Sequence, residues 1–392
     1  MTDDSDSRAK CATCSDDILQ QEVPNRRLAD TQEVCKDIHL EMILVRTADI
    51  VQRAFLKFRE RTWDPDAVKI KLEGSDIVVH DNAVATDQVL FRSFPDHLVS
   101  DPSVKAGMLC AFTCQEPFVY MRELFKQLTQ GKVVPCFALL LISNSVGHDM
   151  KIQEVGIQLK PVPRMITTVY LDHVMENWPR NIHEVLRVTS LTTGKAWYID
   201  ISGPQYNINC ALWPAMEFTR AHIDQIVHVL LEGANQNVFI EAGQRPEIKG
   251  LITRKLFEAA GHINAAIGTW VKTEKLELQE LVKLDAAAFD AKKESLLNTM
   301  KEAVGDFILD SDFRPEIYAI FIAGIDKGKG PLTAAQKAPL ICNGLGLVQS
   351  YFSMSWNSLY SECSAVLPLS THCHIIEQLK HGEEKLHIVV WL

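Results

Sequence analysis

The sequence predicts an α+β fold, an antiparallel sheet flanked by helices, with a helical C-terminal half. Two observations carry the class. Short alternating stretches bounded by turn residues gather before residue 206, whereas beyond it apolar residues recur mainly at helical spacing. That segregation of strands and helices separates α+β from alternating α/β architectures. A third observation is bulk: 47% of the 392 residues are hydrophobic, enough to fill a large core.

Residues 1–29 are polar and Asp/Ser-rich and are expected to form a flexible acidic tail. From about Asp30 to Trp63 there is no Gly or Pro, and Ile43, Val51, Phe55 and Phe58 fall at helical spacing, which predicts one long helix or two short ones. "VKIKLEGSDIVVHD" (Val68–Asp81) alternates and turns at Glu73–Ser75, the pattern of a hairpin. Helical patterns follow near residue 104 and from about Phe118 to Gln130. "VPCFALLLIS" (Val134–Ser143) and "EVGIQLKPVP" read as strands, followed by a hairpin within Asn181–Tyr206. Helices are expected at Glu217–Leu231, Pro246–Ala260, Glu277–Ala288 and Ala291–Leu309, then a flexible loop at Gly324–Pro331 and a final strand, "LHIVVWL". The organisation predicted is a tail over 1–29, a catalytic α+β domain over 30–310, and a C-terminal extension over 311–392 packing on the same domain.

The longest strongly apolar run, Cys136–Ile142, is far shorter than the roughly 20 residues that span a bilayer. The opening "MTDDSDSRAK" has no apolar centre and does not read as a secretory signal. Ten scattered cysteines fit reduced thiols in a cytoplasmic protein. A net charge of −10 argues against a wholly basic nucleic-acid surface but leaves room for a local basic stripe.

The chemistry concentrates in the hairpin. His183 opens its first strand and Asp200 closes its second. A loop centred on Leu191–Thr192 sets the two directly opposite, whereas a tight turn on Thr193–Gly194 keeps them on one face but slides them four residues apart. If they meet, Asp200 orients the imidazole and stabilises its protonated form, leaving the other nitrogen as general base. The candidate nucleophile is Cys114. Thr113 and Glu116 have capping-box spacing, which places Cys114 first in a helix; Pro117 instead suggests a start at Glu116, with Cys114 just ahead of it. Either position favours a thiolate. Cys110 and Cys136 are the competing thiols.

Arg53, Lys57 and Arg61 repeat at i, i+4, i+8 on the first helix, opposite its apolar residues. They form either a solvated face or a rail for RNA phosphates. Cys11, Cys14, Cys35 and His39 have spacing that could hold one zinc, but the pair at the end falls in an apparent helix and the first pair in the tail. "STHCHIIEQLKHG" reads as surface, and no phosphate-binding loop or dinucleotide fingerprint occurs. No metal or cofactor is expected.

The order of a cysteine at a helix entrance, a strand, and a hairpin bearing His then Asp resembles the papain/transglutaminase-like fold over about 90 residues. "H-x(16)-D" and "W-x-I-D-I-S-x-x-Q-Y" look like that fold's His and Asp strands. "IHLEMILVRTADIVQRAFLKFRERTWD" with "LTTGKAWYIDISGPQY" further resembles a group of fungal proteins, many with a MYND zinc finger just upstream. Within that group the chain looks like the fungal arginine-containing cyclodipeptide synthases over roughly residues 35–310, although its N-terminal cysteines fall short of a full MYND ligand set. The resemblance implies aminoacyl transfer from arginyl-tRNA and a second aminoacyl-tRNA to a diketopiperazine that begins secondary-metabolite biosynthesis, with no membrane or DNA partner. Two alternatives stand beside it: another Cys-His-Asp acyltransferase or amidohydrolase, and a non-catalytic MYND-derived interaction protein.

Overall fold

Helix α1 (residues 36–61) contributes its apolar face to the largest core cluster and settles the first expectation as one long helix. Leu40, Ile43, Leu44, Thr47, Ala48, Val51, Ala54, Phe55 and Phe58 fall along one face at helical spacing and are all buried. Each large apolar side chain so placed contributes about 1.5–3 kcal/mol of burial. That outweighs the roughly 0–1 kcal/mol of any one surface ion pair along the same helix, so packing holds α1 and charge only orients its neighbours. The computed structural model describes residues 36–82, 89–130, 150–170, 173–176 and 181–326. The N-terminal tail, the strand expected at Val134–Ser143 and everything past residue 326 lie outside the described residues.

The class is α+β, with antiparallel sheet flanked by helices. Strands β1 (Ala67–Glu73) and β2 (Asp76–Asp81) form the expected hairpin, turning through Gly74 at φ +67. Next come α2 (Pro102–Cys110), α3 (Glu116–Tyr120) and α4 (Arg122–Gln130). Asp101 caps α2 by accepting hydrogen bonds from the amides of Ser103 and Val104. Beyond them lie β3 (Met150–Leu159), β4 (Ile166–Tyr170) and β5 (His173–Glu176). β1, β2, β4 and β5 make a four-stranded sheet in that order, in which β2 and β4 pair in parallel.

The sheet that carries the site holds β6 (His183–Ser190), β7 (Ala196–Ile199), β8 (Leu212–Pro214) and β9 (Ile223–Leu231) together with β3. Its order is β8-β7-β6-β3-β9, antiparallel throughout. Residues alternate between its faces. Leu186, Val188, Trp197 and Ile199 join the large core built around α1. Val155, Ile157, Val185 and Tyr198 point the other way and pack with Tyr206, Ile208 and Phe218.

Three helical expectations are corrected. The helix expected over Glu217–Leu231 ends early: α5 spans Ala215–His222, and the next nine residues are β9. Ile223, Ile226, Val227 and Val229 are β-branched, and pairing with β3 satisfies their backbone, which outweighs helical spacing. A further helix, α6 (Ala234–Gly243), was not expected at all, and α7 (Ile248–Glu274) is far longer than Pro246–Ala260. The pair expected at Glu277–Ala288 and Ala291–Leu309 is redivided into α8 (Leu278–Leu281) and α9 (Ala286–Asp310). Asp285 sets the break, because its side chain accepts from the amide of Ala288 and starts the new helix there. The last described element, α10 (Arg314–Asp326), packs back on the rest through buried Ile317 and the Lys255–Glu316 ion pair.

Candidate active site

The β6–β7 hairpin takes a register between the two that the sequence allowed. Leu186 pairs with Ile199 and Thr189 with Ala196. The amide of Ser190 donates to the carbonyl of Lys195, and that of Gly194 to the carbonyl of Ser190, leaving Leu191–Gly194 as the loop. Its centre lies between Thr192 and Thr193, so the expectation of a loop centred on Leu191–Thr192 is corrected. Gly194 provides the reason: at φ +75 it closes the loop in a conformation costly for residues with a β-carbon. The register would set Ser202 opposite His183, which displaces Asp200 by two residues along the same face. Diagonal neighbours of that kind remain within reach of long side chains. His183 Nε2 and Asp200 Oδ1 are 2.9 Å apart, and neither residue is exposed to solvent.

Asp200 is held from several sides. Its amide donates to the carbonyl of Ala211, and Gln52 on α1 donates to the carbonyl of Ile201, fixing the chain as it leaves β7. It then folds into a short 3-10 turn, Gly203–Tyr206. A β-carbon on Gly203 would lie 2.6 Å from Asp200 Oδ2 and 2.7 Å from the carbonyl of Ile208. Only glycine lets this turn wrap the carboxylate.

Cys114 comes from a separate part of the chain. α3 begins at Glu116 with Pro117 in its first turn, so Cys114 stands just ahead of the helix and not at its first residue. The capping box does not form. Thr113 instead donates its hydroxyl to the carbonyl of Cys110, while Glu116 faces the buried Arg59. Cys114 Sγ lies 3.5 Å from the carbonyl of Ile182, the residue before His183. Gln205 ties the two halves of the site together: its side-chain oxygen accepts from the amide of Phe112, two residues before Cys114 and at φ +61.

Burial alone would strip the charge from His183. The adjacent Asp200 charge, a hydrogen bond to it and the interaction with Cys114 outweigh that penalty and lift the imidazole to about 10. At neutral pH the ring is therefore an imidazolium shared between a carboxylate and a sulfur. Cys110 differs: it is fully buried against the carbonyl of Ile201, and burial with the nearby Asp200 charge pushes its thiol well above the usual range. It is a packing residue. Cys136 lies outside the described residues.

Around the His183–Asp200 pair, three buried polar atoms make no hydrogen bond among the described residues: Asp200 Oδ2, Ser202 Oγ and the Tyr206 hydroxyl. Each belongs to a residue with no solvent exposure. An unsatisfied buried group of this type costs about 1–3 kcal/mol, and three of them together mark a place where polar chemistry takes precedence over stability. Ser202, Gln205 and Tyr206 received no role from the sequence. The signal was their spacing after Asp200 within a turn that carries Gly203-Pro204.

The basic stripe of α1 runs alongside α9. Arg53 pairs with Asp49 at 2.8 Å and with Glu294 at 3.2 Å, Lys57 donates to Asn298 at 3.0 Å, and Arg61 lies against Gly305. All three thus turn toward α9, although Arg53 keeps half its side chain in solvent. A cationic row opposite an apolar face has the same sequence pattern whether it meets phosphate, water or a neighbouring helix. Among the described residues no group of three or more His, Cys, Asp and Glu side chains is arranged to hold a metal, and no helix is long and apolar enough to cross a membrane. Cys11, Cys14 and Cys35, expected as possible zinc ligands with His39, lie outside the described residues. No family model, no curated protein and no solved structure matches the chain.

Proposed function

We propose that this chain is an aminoacyl-transfer enzyme that joins arginine to a second amino acid, each delivered as an aminoacyl-tRNA in the cytoplasm, and releases a cyclic dipeptide. The observation that carries the reading is His183 placed between Asp200, at 2.9 Å, and Cys114. The resemblance of Ile38–Asp64 and Leu191–Tyr206 to the fungal arginine-containing synthases supplies the substrates.

Cys114 sulfur attacks the ester carbonyl of the first aminoacyl-tRNA, and the tRNA 3′-terminal ribose oxygen leaves with a proton from the His183 imidazolium. Asp200 keeps the ring oriented and offsets its charge throughout. The amine of the second aminoacyl-tRNA then attacks the thioester, giving up a proton to His183 and expelling Cys114 as the thiolate, which restores the starting pair. The free amine of the resulting dipeptidyl-tRNA attacks its own ester carbonyl, which closes the six-membered ring and releases the second tRNA.

Expression in a neutral host followed by mass spectrometry of extracts is expected to reveal an arginine-containing cyclic dipeptide. Adding ribonuclease to a lysate reaction is expected to abolish it, and Cys114→Ala to reduce it by at least about 10³-fold. Wild-type product levels from Cys114→Ala would sink the covalent role. The engagement of Arg53, Lys57 and Arg61 with α9 favours a second reading, a Cys-His-Asp acyltransferase or amidohydrolase without tRNA. That enzyme would be inactivated by thiol alkylation and indifferent to ribonuclease.

A further inference from the structure

We propose that the Tyr206 hydroxyl is the hydrogen-bond donor for the oxyanion that forms when Cys114 attacks an acyl carbonyl. The inference rests on the reading of Cys114 as nucleophile and adds a catalytic residue to it. Tyr206 ends the 3-10 turn that begins three residues after Asp200, and its ring meets the His183 ring edge-on at 5.2 Å between centroids. That contact fixes the tyrosine to the same imidazole that serves the thiol. The residue has no solvent exposure, and its hydroxyl makes no hydrogen bond among the described residues.

A tyrosine hydroxyl that is buried normally finds a partner. The groups that face this one explain why it is kept. Burial, with the charges of Cys114 and Asp200 adding to it, drives the phenol well above its ordinary value, so it stays protonated and can only donate to developing negative charge. His222 on α5, whose ring packs against Trp213 and Phe218, has its pKa lowered, chiefly by burial, which disfavours a second cation near Asp200. The turn is also rigid. Arg164 donates to the carbonyls of Ser103 and Pro204, and Gln205 is bonded to the amide of Phe112. A donor fixed before the substrate arrives costs no reorganisation during the reaction.

In the step itself the sulfur–carbon bond forms and the carbonyl π pair moves onto oxygen. Tyr206 donates a hydrogen bond to that oxygen and keeps its proton. When the oxyanion collapses, the pair returns to the carbonyl, the carbon–leaving-group bond breaks, and the leaving oxygen takes the proton of the His183 imidazolium. Tyr206 is unchanged at the end.

The test compares two reactions of Cys114 in the full chain. Alkylation by iodoacetamide proceeds without an oxyanion, whereas acylation by p-nitrophenyl acetate requires one. Tyr206→Phe is expected to alkylate within about 2-fold of the wild-type rate yet acylate about 10²-fold more slowly, the usual effect of losing one such donor. It is also expected to melt at or above the wild-type temperature, since it removes a buried hydroxyl that has no partner. Equal rates in both reactions, a parallel fall in both, or a melting temperature several degrees lower would each overturn the role of Tyr206. A wild-type Cys114 inert to both reagents would overturn the nucleophile itself, and this proposal with it.

Discussion

His183 and Glu184 are consecutive residues of β6, and each completes a histidine–carboxylate pair at 2.9 Å, on opposite faces of the sheet. His183 meets Asp200 in a fully buried setting beside Cys114 and Tyr206. Glu184 meets His228, whose ring lies directly over Gly156 and keeps 15% of its side chain exposed. The neighbour on that side is Glu154, whose two oxygens accept from the amides of Gly233 and Asn235 and cap α6. The comparison separates two uses of one motif. A histidine–carboxylate pair is a sound way to bury charge in a sheet. It becomes a candidate for catalysis only where a sulfur and unsatisfied donors converge on the same ring.

The sharpest way to break that distinction is to remove each ring. If the proposed reaction holds, His183→Ala is expected to lower formation of the cyclic dipeptide by about 10³-fold or more, and His228→Ala to leave it within about 3-fold, both read by mass spectrometry. The reverse order would assign the chemistry to the wrong face. Glycine tests come next. A β-carbon at Gly156 would lie 2.3 Å from the His228 ring, so Gly156→Ala must evict it. Urea unfolding is expected to show a loss of about 1–3 kcal/mol at constant m-value, with turnover per folded molecule preserved.

His183 on one face and Glu154 on the other titrate in different windows. His183 is raised from 6.5 to about 10, so its contribution to stability is complete below pH 6.5 and is lost as pH rises through about 10. Glu154 is raised from 4.5 to about 7 by burial, partly offset by the amides it caps. Its contribution is likewise complete below pH 4.5 and disappears as pH rises through about 7. Asp200→Asn is expected to flatten only the upper window and Glu154→Gln only the lower, as measured by denaturation across pH. The smallest effect belongs to the surface: Arg53→Ala is expected to cost no more than about 0.5–1 kcal/mol, diminishing further in salt.

Much of this was legible in the residues. α1 and the two hairpins were readable because apolar periodicity and turn glycines are local signals. The identity of Cys114, His183 and Asp200 as a set came from chain order and residue chemistry. Their distances did not, because a register depends on how Leu191–Gly194 closes, and sequence shows a glycine without showing how many residues precede it in the loop. "AMEFTRAHIDQIVHVLL" has one continuous amphipathic pattern, yet the available edge of β3 divides it into α5 and β9. The direction of Arg53, Lys57 and Arg61 was hidden for a similar reason, since α9 lies more than 200 residues away in the chain. Tyr206 was in plain view at the end of the W-x-I-D-I-S-x-x-Q-Y stretch, but nothing in that stretch marked its hydroxyl for a role.

The bare position at Gly203 has an evolutionary consequence. With the Asp200 carboxylate on one side and the Ile208 carbonyl on the other, there is no room for even a methyl group. Duplication can let the rest of such a gene drift, but a descendant that keeps the aspartate must inherit the glycine with it. The four letters Asp-Ile-Ser-Gly would then pass between genomes as one indivisible word, and a relative that had lost the glycine would be expected to have abandoned the aspartate, and with it the chemistry.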